Sequence, residues 1–448
     1  MGVNLEPEVS GMQANRRITT GNRPWCPGNV AVLAGLAALA LIIQGCAILR
    51  PYNPLPAALE DQVQIPGLPG VRAWGDEHNK SFEQSAIESF EQEKAANHGK
   101  LEPLVYMLAL SGGGAEGAFG AGILCGWTET GTRPRFKLVT GISTGALMAP
   151  FAFLGPAYDA RLKQAYTTIS DKDIFQAFGP VSILLSLANL KELPSLADSR
   201  PLAQMVATIV DAQVLQEIAQ EHLKGRRLLM GTVQLDAQRL VIWNMGAIAA
   251  SGHPQALELF RKIMVASASI PAMFPPQFFT VEAGGEEFQE MHVDGGTRAQ
   301  VMLYESSIRF LAVPSRRPRK LFIIRNEQVH PEWQEVKPQL KHIAIRTIDT
   351  LLKSQGVGDL FRLYVFAQRD QFDYNLAYIP PDFTPRPTST FDTAYMNKLF
   401  QLGYQLACCG QPWRKYPPGY EPAPYGEQPD SPDSPMAPQE SSGPSDGS

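Results

Sequence analysis

Several things are scarce in this chain, and each scarcity removes a class of explanation. Five cysteines in 448 residues are too few to staple a fold of this size with disulfides. Cys408 and Cys409 are adjacent, Cys26 and Cys46 fall near the N-terminus, and Cys125 lies in a predicted helix, so no disulfide framework is expected. No basic tract stands out, and a net charge of -5 argues against nucleic acid as a partner. No Cys/His cluster has zinc spacing and no EF-hand loop occurs, so neither a metal nor another cofactor is expected. No internal repeat is evident. What is plentiful is apolar residue, at 44%, enough for a full core in one large domain or two smaller ones.

The N-terminus reads as an address. Arg16, Arg17 and Arg23 precede the apolar stretch Val30 to Ile43, and Gln44-Gly45-Cys46 follows at once. That stretch is shorter than the roughly 18–20 residues that span a bilayer comfortably, so a signal peptide over 1–45 is expected. Ile43-Gln44-Gly45-Cys46 resembles a bacterial lipoprotein box, which implies lipidation of Cys46 and membrane anchoring. Ala47, where an Asp would retain such a protein, implies the outer membrane of a Gram-negative cell. The competing readings are a plain transmembrane anchor and an uncleaved signal.

Residues 46–103 carry Pro51, Pro54, Pro56, Pro66 and Pro69 and then mixed charge, which reads as an extended tether with an amphipathic helix around Ser81 to Ala96. From Leu104 short apolar runs alternate with helical patterns. Leu104–Leu110, Phe136–Thr140, Arg227–Leu235, Leu240–Met245, Phe288–Val293 and Lys320–Arg325 are strand candidates, and helices are expected after Gly117, Gly145, His253 and Pro338. Such alternation predicts an α/β fold, a sheet with helices on its faces. Ser170 to Leu223, broken at Pro180, Pro194 and Pro201, reads as a cap-like insertion, although its Val181–Leu190 run fits ordinary core equally. Residues 411–448 are dominated by Pro, Ser, Gly, Gln and Asp, too poor in apolar surface to order, and read as a disordered tail.

Three short motifs carry chemistry. Gly141-Ile142-Ser143-Thr144-Gly145 fits a G-x-S-x-G elbow between a strand and a helix, in which flanking glycines allow a strained turn and expose the serine. Its bland reading is a structural turn with a capping serine. Gly112, Gly113 and Gly114 follow a strand, and consecutive glycines let backbone N–H groups approach a substrate oxygen. A nucleotide loop is excluded there, because no Lys-Ser/Thr pair follows and the G-x-G-x-x-G spacing fails. Asp294-Gly295-Gly296 ends a strand candidate; alone it is an ordinary turn signal, and its weight comes from the other two.

Read forward, Gly112 to Gly117 gives G-G-G-x-x-G, and with Ser143 and Asp294 the order resembles a patatin-like phospholipase. The resemblance spans Leu104 to Phe400 and implies a patatin-like three-layer sandwich over 104–410, with a mostly parallel central sheet and helices on both faces. It implies Ser143 as nucleophile, Asp294 as its base in a dyad, amides of Gly112, Gly113 and Gly114 as oxyanion hole, and Gly117, Gly141, Gly145, Gly295 and Gly296 as motif glycines. The implied substrate is a fatty-acyl ester, a membrane lipid included. Glu116 departs from the family, which commonly has Arg or Lys there, and a carboxylate argues against an anionic head group beside the loop. Val265 to Pro271 resembles the family's A-S-x-A-x-P region and reads as scaffold. Two alternatives remain: a Ser-His-Asp triad drawing on His222, His253, His292, His330 or His342, and an envelope lipoprotein that binds lipid or a partner without turnover.

Overall fold

The apolar runs become the middle of a sheet. The computed structural model describes residues 52–174, 176–177, 197–271, 273–303, 317–410 and 412–420. The expected signal 1–45, Cys46, the Val181–Leu190 run and tail residues 421–448 lie outside the described residues. The chain divides into Met1–Asn53 and Pro54–Ser448, and the sheet with its helices belongs to the second unit.

Nine strands of the described residues form one sheet. In chain order they are β1 (Arg72–Trp74), β2 (Val105–Leu110), β3 (Leu138–Gly141), β4 (Arg227–Gln234), β5 (Arg239–Asn244), β6 (Gln277–Ala283), β7 (Glu286–Asp294), β8 (Arg319–Gln328) and β9 (Phe372–Ile379). The order β4-β3-β2-β8-β9 is parallel throughout. Antiparallel β5 and β1 extend the sheet beyond β4, while β7 pairs antiparallel with both β4 and β6. A parallel centre needs cover on both faces. Along β2, Leu108 and Leu110 enter one core, Met107 and Ala109 the other. The first core is built by α2 (Gly117–Glu129), α3 (Thr144–Leu154), α8 (Ala256–Ser267) and α10 (Thr393–Cys408); the second by α1 (Lys80–Ala96) and the C-terminal half of α9 (Leu340–Arg369). The fold is thus the expected three-layer α/β arrangement with a mostly parallel centre. The first core also takes in α4 (Asp159–Thr167), α5 (Arg200–Ile209), α6 (Ala212–Leu223) and α7 (Met245–Ala250).

Two expectations need correction. Residues 54–103 do not form an extended tether: β1 pairs with β5, and α1, capped by the Asn79 side chain on the amides of Ser81 and Phe82, buries Phe82 and Phe90. Burial of each such aromatic is worth about 1.5–3 kcal/mol, enough to hold a Pro-containing segment at a sheet edge. The tail does not begin at 411 either. Trp413 packs on Phe322 and Trp127, with ring centroids 4.8 and 4.7 Å away, and Arg414 pairs backbone with Leu376.

Candidate active site

The nucleophile candidate sits where β3 runs into α3. Ser143 is buried and holds φ 53 and ψ -125, a left-handed conformation that costs a non-glycine residue about 1–3 kcal/mol. The neighbourhood enforces it. A Cβ on Gly145 would stand 2.4 Å from the Leu110 carbonyl oxygen, so only glycine lets α3 start so close to β2. The Ser143 amide donates to Ser267 Oγ at 3.0 Å, and Ser267 Oγ donates to the Gly231 carbonyl at 2.7 Å. Ser267, in the region read as scaffold, therefore ties the elbow to β4. The N-terminus of α3 beneath Ser143 favours negative charge there.

The glycine loop is tied to β8 rather than free. Asn326 donates its amide to Ser111 Oγ at 2.8 Å and its Nδ2 to the Ser111 carbonyl at 2.9 Å, while its Oδ1 accepts from the Gly120 amide at 3.1 Å. Gly113 has φ 144, and a Cβ there would meet the Asn326 carbonyl at 2.0 Å. One oxyanion expectation is corrected here. The Gly112 amide is bonded to the Gln300 carbonyl at 2.9 Å, so it positions the loop instead of facing a substrate. No partner takes the amides of Gly113 and Gly114 among the described residues, and Gly114 lines the same pocket as Ser143.

Asp294 ends β7 and is buried. Its Oδ1 accepts from the Gly296 amide at 2.7 Å, and its Oδ2 has no partner at ordinary hydrogen-bonding geometry. Burial pushes its carboxyl up to about 7; the adjacent Ser143 hydroxyl and the Gly296 amide oppose that rise without cancelling it. A loose serine–carboxyl approach is common before substrate arrives. Gly295 packs against the Gly231 carbonyl, Gly117 against Thr144, and Gly141 against the Gly145 carbonyl, so the motif glycines mark close approaches around one point.

One residue that no motif announced joins these parts. Gln300 is buried; its Nε2 donates to the Gly296 carbonyl at 3.0 Å and its Oε1 accepts from Arg325 Nη1 at 3.1 Å. Its own amide donates to Asp359 Oδ2 at 2.7 Å and its carbonyl holds Gly112. It links the Asp-Gly-Gly turn four residues before it to the glycine loop, β8 and α9, and the last three bonds join residues far apart in sequence, which leave no periodic signature.

The histidines stand otherwise. His292 has Nδ1 against Thr232 Oγ1 at 2.8 Å and Nε2 against Glu290 at 3.1 Å, deep in the sheet. His222 lies buried against Gly246, with burial pulling its pKa down to about 3. His253 lies beside Gly67, His330 packs on the Tyr378 ring, and His342 belongs to α9. Among the described residues, no histidine lines the pocket around Ser143.

That pocket is small, about 40 Å³, and almost entirely apolar; Leu147, Tyr166 and Phe274 line it together with Leu202, Met205 and Ile209 of α5. The described part of the cap-like insertion thus walls the site. On the other side of the glycine loop, Glu116 opens onto a cleft of about 600 Å³ shared with Glu327, Glu332, Arg346, Asp349 and Lys353. Glu116 accepts from the Tyr395 hydroxyl at 2.9 Å. Burial, reinforced by Glu327, pushes Glu116 up to about 8, so at neutral pH it is mostly a neutral acid and not the carboxylate its letter suggests.

Residues 108–304 match the family model for patatin-like phospholipase. No curated protein matches the chain. Among solved structures it is similar to VipD from Legionella pneumophila, at 12% identity over 70% of this chain and 68% of that one, TM-score 0.36. Human GIVD cytosolic phospholipase A2 is similar at 10% identity, over 75% of this chain and 63% of that one, TM-score 0.38. ExoU of Pseudomonas aeruginosa, in its complex with SpcU, is similar at 14% identity, over 68% and 52%, TM-score 0.25. Likenesses that distant carry no detail of substrate. The matched span contains the elbow, the glycine loop and the Asp-Gly-Gly turn, and residues 108–304 are thereby a patatin-like phospholipase domain.

Proposed function

We propose that this lipid hydrolase domain cleaves fatty-acyl esters with Ser143 as nucleophile and Asp294 as its only side-chain base. The observation that carries the reading is a strained serine that lines an apolar pocket and adjoins a buried carboxyl whose pKa sits at about 7. Near neutral pH such a group can both take and return a proton, as a general base must. Ser143 Oγ gives its proton to Asp294 and attacks the ester carbonyl carbon. The resulting oxyanion accepts from the free amides of Gly113 and Gly114, donors worth about 3–4 kcal/mol each in well-placed cases. The intermediate expels the alcohol, which takes the proton from Asp294, leaving an acyl-serine. Water then gives a proton to Asp294 and attacks the acyl carbon, and Asp294 returns that proton to Ser143 as the fatty acid leaves. The neutral form of Glu116 removes the repulsion that its sequence position suggested toward an anionic head group, so phospholipids stay within the substrate class. The lipidated Cys46 and an outer-membrane site complete the proposal; mass spectrometry of the mature N-terminal peptide tests them.

The chemistry is tested on the full chain with a medium-chain p-nitrophenyl ester and a fluorophosphonate probe. Turnover and labelling lost in Ser143→Ala, turnover lost in Asp294→Asn, and both kept in His330→Ala/His342→Ala are expected. A folded wild type that neither turns over nor labels would overturn the reading in favour of a lipid-binding role without catalysis.

A further inference from the structure

The N-terminal half of α9 breaks the rule that apolar helical residues face a core. From Leu340 to Leu351 no residue whose exposure is described is buried, although Leu340, Ile343, Ile345, Ile348 and Leu351 are all large and apolar. Leu340 is 85% exposed and Leu351 64%. Leu340, Ile343, Ile348 and Leu351 follow the i, i+3, i+8, i+11 spacing that puts them on one stripe of the helix. Just ahead of the helix, Trp333 stands 84% exposed. It is not on a loose strand of chain. Arg346 donates to the Glu332 carbonyl, and Lys353 pairs with the Glu332 carboxylate and reaches the His330 carbonyl at 3.3 Å, so the Trp333 segment is fastened to α9.

A contiguous apolar patch of this kind marks an interaction surface. Its charge selects the partner. From Trp333 to Leu351 the chain has Lys337, Lys341 and Arg346 against Glu335 and Asp349, a small excess of positive charge in a protein whose net charge is -5, and the two acids lie at the ends of the segment. Apolar side chains, an exposed tryptophan and local positive charge together match a bilayer surface with anionic head groups, where apolar groups enter the acyl boundary and lysines meet phosphate. Position agrees with this. Arg346, Asp349, Thr350 and Lys353 of the same helix line the cleft that Glu116 shares, directly beside the glycine loop.

We infer that Trp333 and the first three turns of α9 form a docking surface for anionic lipid bilayers. The surface would set the glycine loop against the membrane that supplies the substrate, and only this consequence rests on the proposed reaction. It is distinct from any lipid on Cys46, since it draws on residues far from Cys46 in the sequence and needs no modification.

The experiment uses the full chain with vesicles of equimolar phosphatidylglycerol and phosphatidylcholine, some prepared with brominated acyl chains. Trp333 fluorescence is read as the difference between wild type and Trp333→Phe. A blue shift and quenching by the brominated lipid are expected, several-fold weaker on pure phosphatidylcholine. Both should disappear in Leu340→Glu/Ile348→Glu, whose solvent-facing sites leave folding and turnover of a soluble ester unchanged. An unshifted, unquenched Trp333 overturns the inference, whether or not the N-terminus brings the chain to the vesicle. So does a dimer that the double variant disperses, because the stripe would then cover a second copy. Absent turnover of the soluble ester would instead count against the proposed reaction and leave the fluorescence result standing.

Discussion

The loop from Gly112 to Gly117 separates two cavities of opposite character. On one side, Gly114 and Ser143 share an apolar pocket of about 40 Å³; on the other, Glu116 opens onto a cleft of about 600 Å³ lined by four acidic side chains, Glu116 included, and two basic ones. By size the cleft would be the obvious site, and it even holds carboxyls raised by burial, Glu116 and Glu327. Yet its acids are answered by neighbours: Tyr395 on Glu116, Arg325 on Glu327, Lys353 and Arg386 on Glu332. The small pocket instead holds a strained serine, and beside that serine the Asp294 carboxyl has an oxygen that lacks a partner at ordinary hydrogen-bonding geometry. An unanswered group next to a nucleophile is a better guide to chemistry than volume or a raised pKa alone.

The sharpest way to break this contrast is to disable one group on each side. Ser143→Ala should lower kcat/KM on a p-nitrophenyl ester by at least about 10³-fold, the usual scale for loss of a nucleophile. Glu116→Gln keeps an oxygen for Tyr395 and mimics the neutral acid, so it should change the same value at neutral pH less than about three-fold. Equal losses would move the chemistry into the cleft. Next in size is the pocket wall. Met205→Trp fills space that an acyl chain must enter, so turnover of a decanoate ester should fall about ten-fold against an acetate ester; an unchanged ratio would place the acyl chain elsewhere. Smaller again is the pH response. Activity should rise with pH and level off above about 7 as Asp294 loses its proton. A midpoint near the ordinary carboxylate value would mean that Asp294 is hydrated in solution.

Much of the molecule is legible in its letters, for reasons that can be named. The parallel strands β2, β3, β4 and β8 each carry an apolar run at their centre because both faces are covered, and such runs stand out in a sequence. The elbow and the Asp-Gly-Gly turn are visible because each needs glycine where a Cβ would strike a neighbouring carbonyl. Other features have no local trace. The Pro-rich stretch before α1 reads as a tether because proline spacing says nothing of the apolar surface that Trp74 and Phe82 find. Gln300, Asn326 and Ser267 act through hydrogen bonds to distant backbone, and such bonds are set by tertiary structure alone. The Gly112 amide misleads on the same ground: a glycine reveals an accessible backbone but not what already occupies it.

The smallest expected effect concerns stability, and it separates a functional carboxyl from a structural one. A carboxyl with a folded-state pKa of about 7 and an ordinary unfolded value near 4 binds more protons folded than unfolded between those limits. Its contribution to stability is therefore full below about pH 4, declines as pH rises toward 7, and is gone above. Asp294→Asn replaces the buried charge with a neutral amide whose oxygen can still accept from the Gly296 amide. The variant should be more stable than wild type by about 1–3 kcal/mol at pH 8, a gain that shrinks to nothing near pH 4. Thermal denaturation at both pH values reads this directly, as a few degrees in Tm at pH 8 and no difference at the acid end. Glu290 supplies the control, because the Arg72 guanidinium and His292 hold its carboxyl at about 2 despite burial. Glu290→Gln should lose stability above pH 4, since it leaves Arg72 buried without its counter-charge. If Asp294→Asn behaved like Glu290→Gln, Asp294 would be a stabilising ion already satisfied by its surroundings, and the base would have to be sought elsewhere.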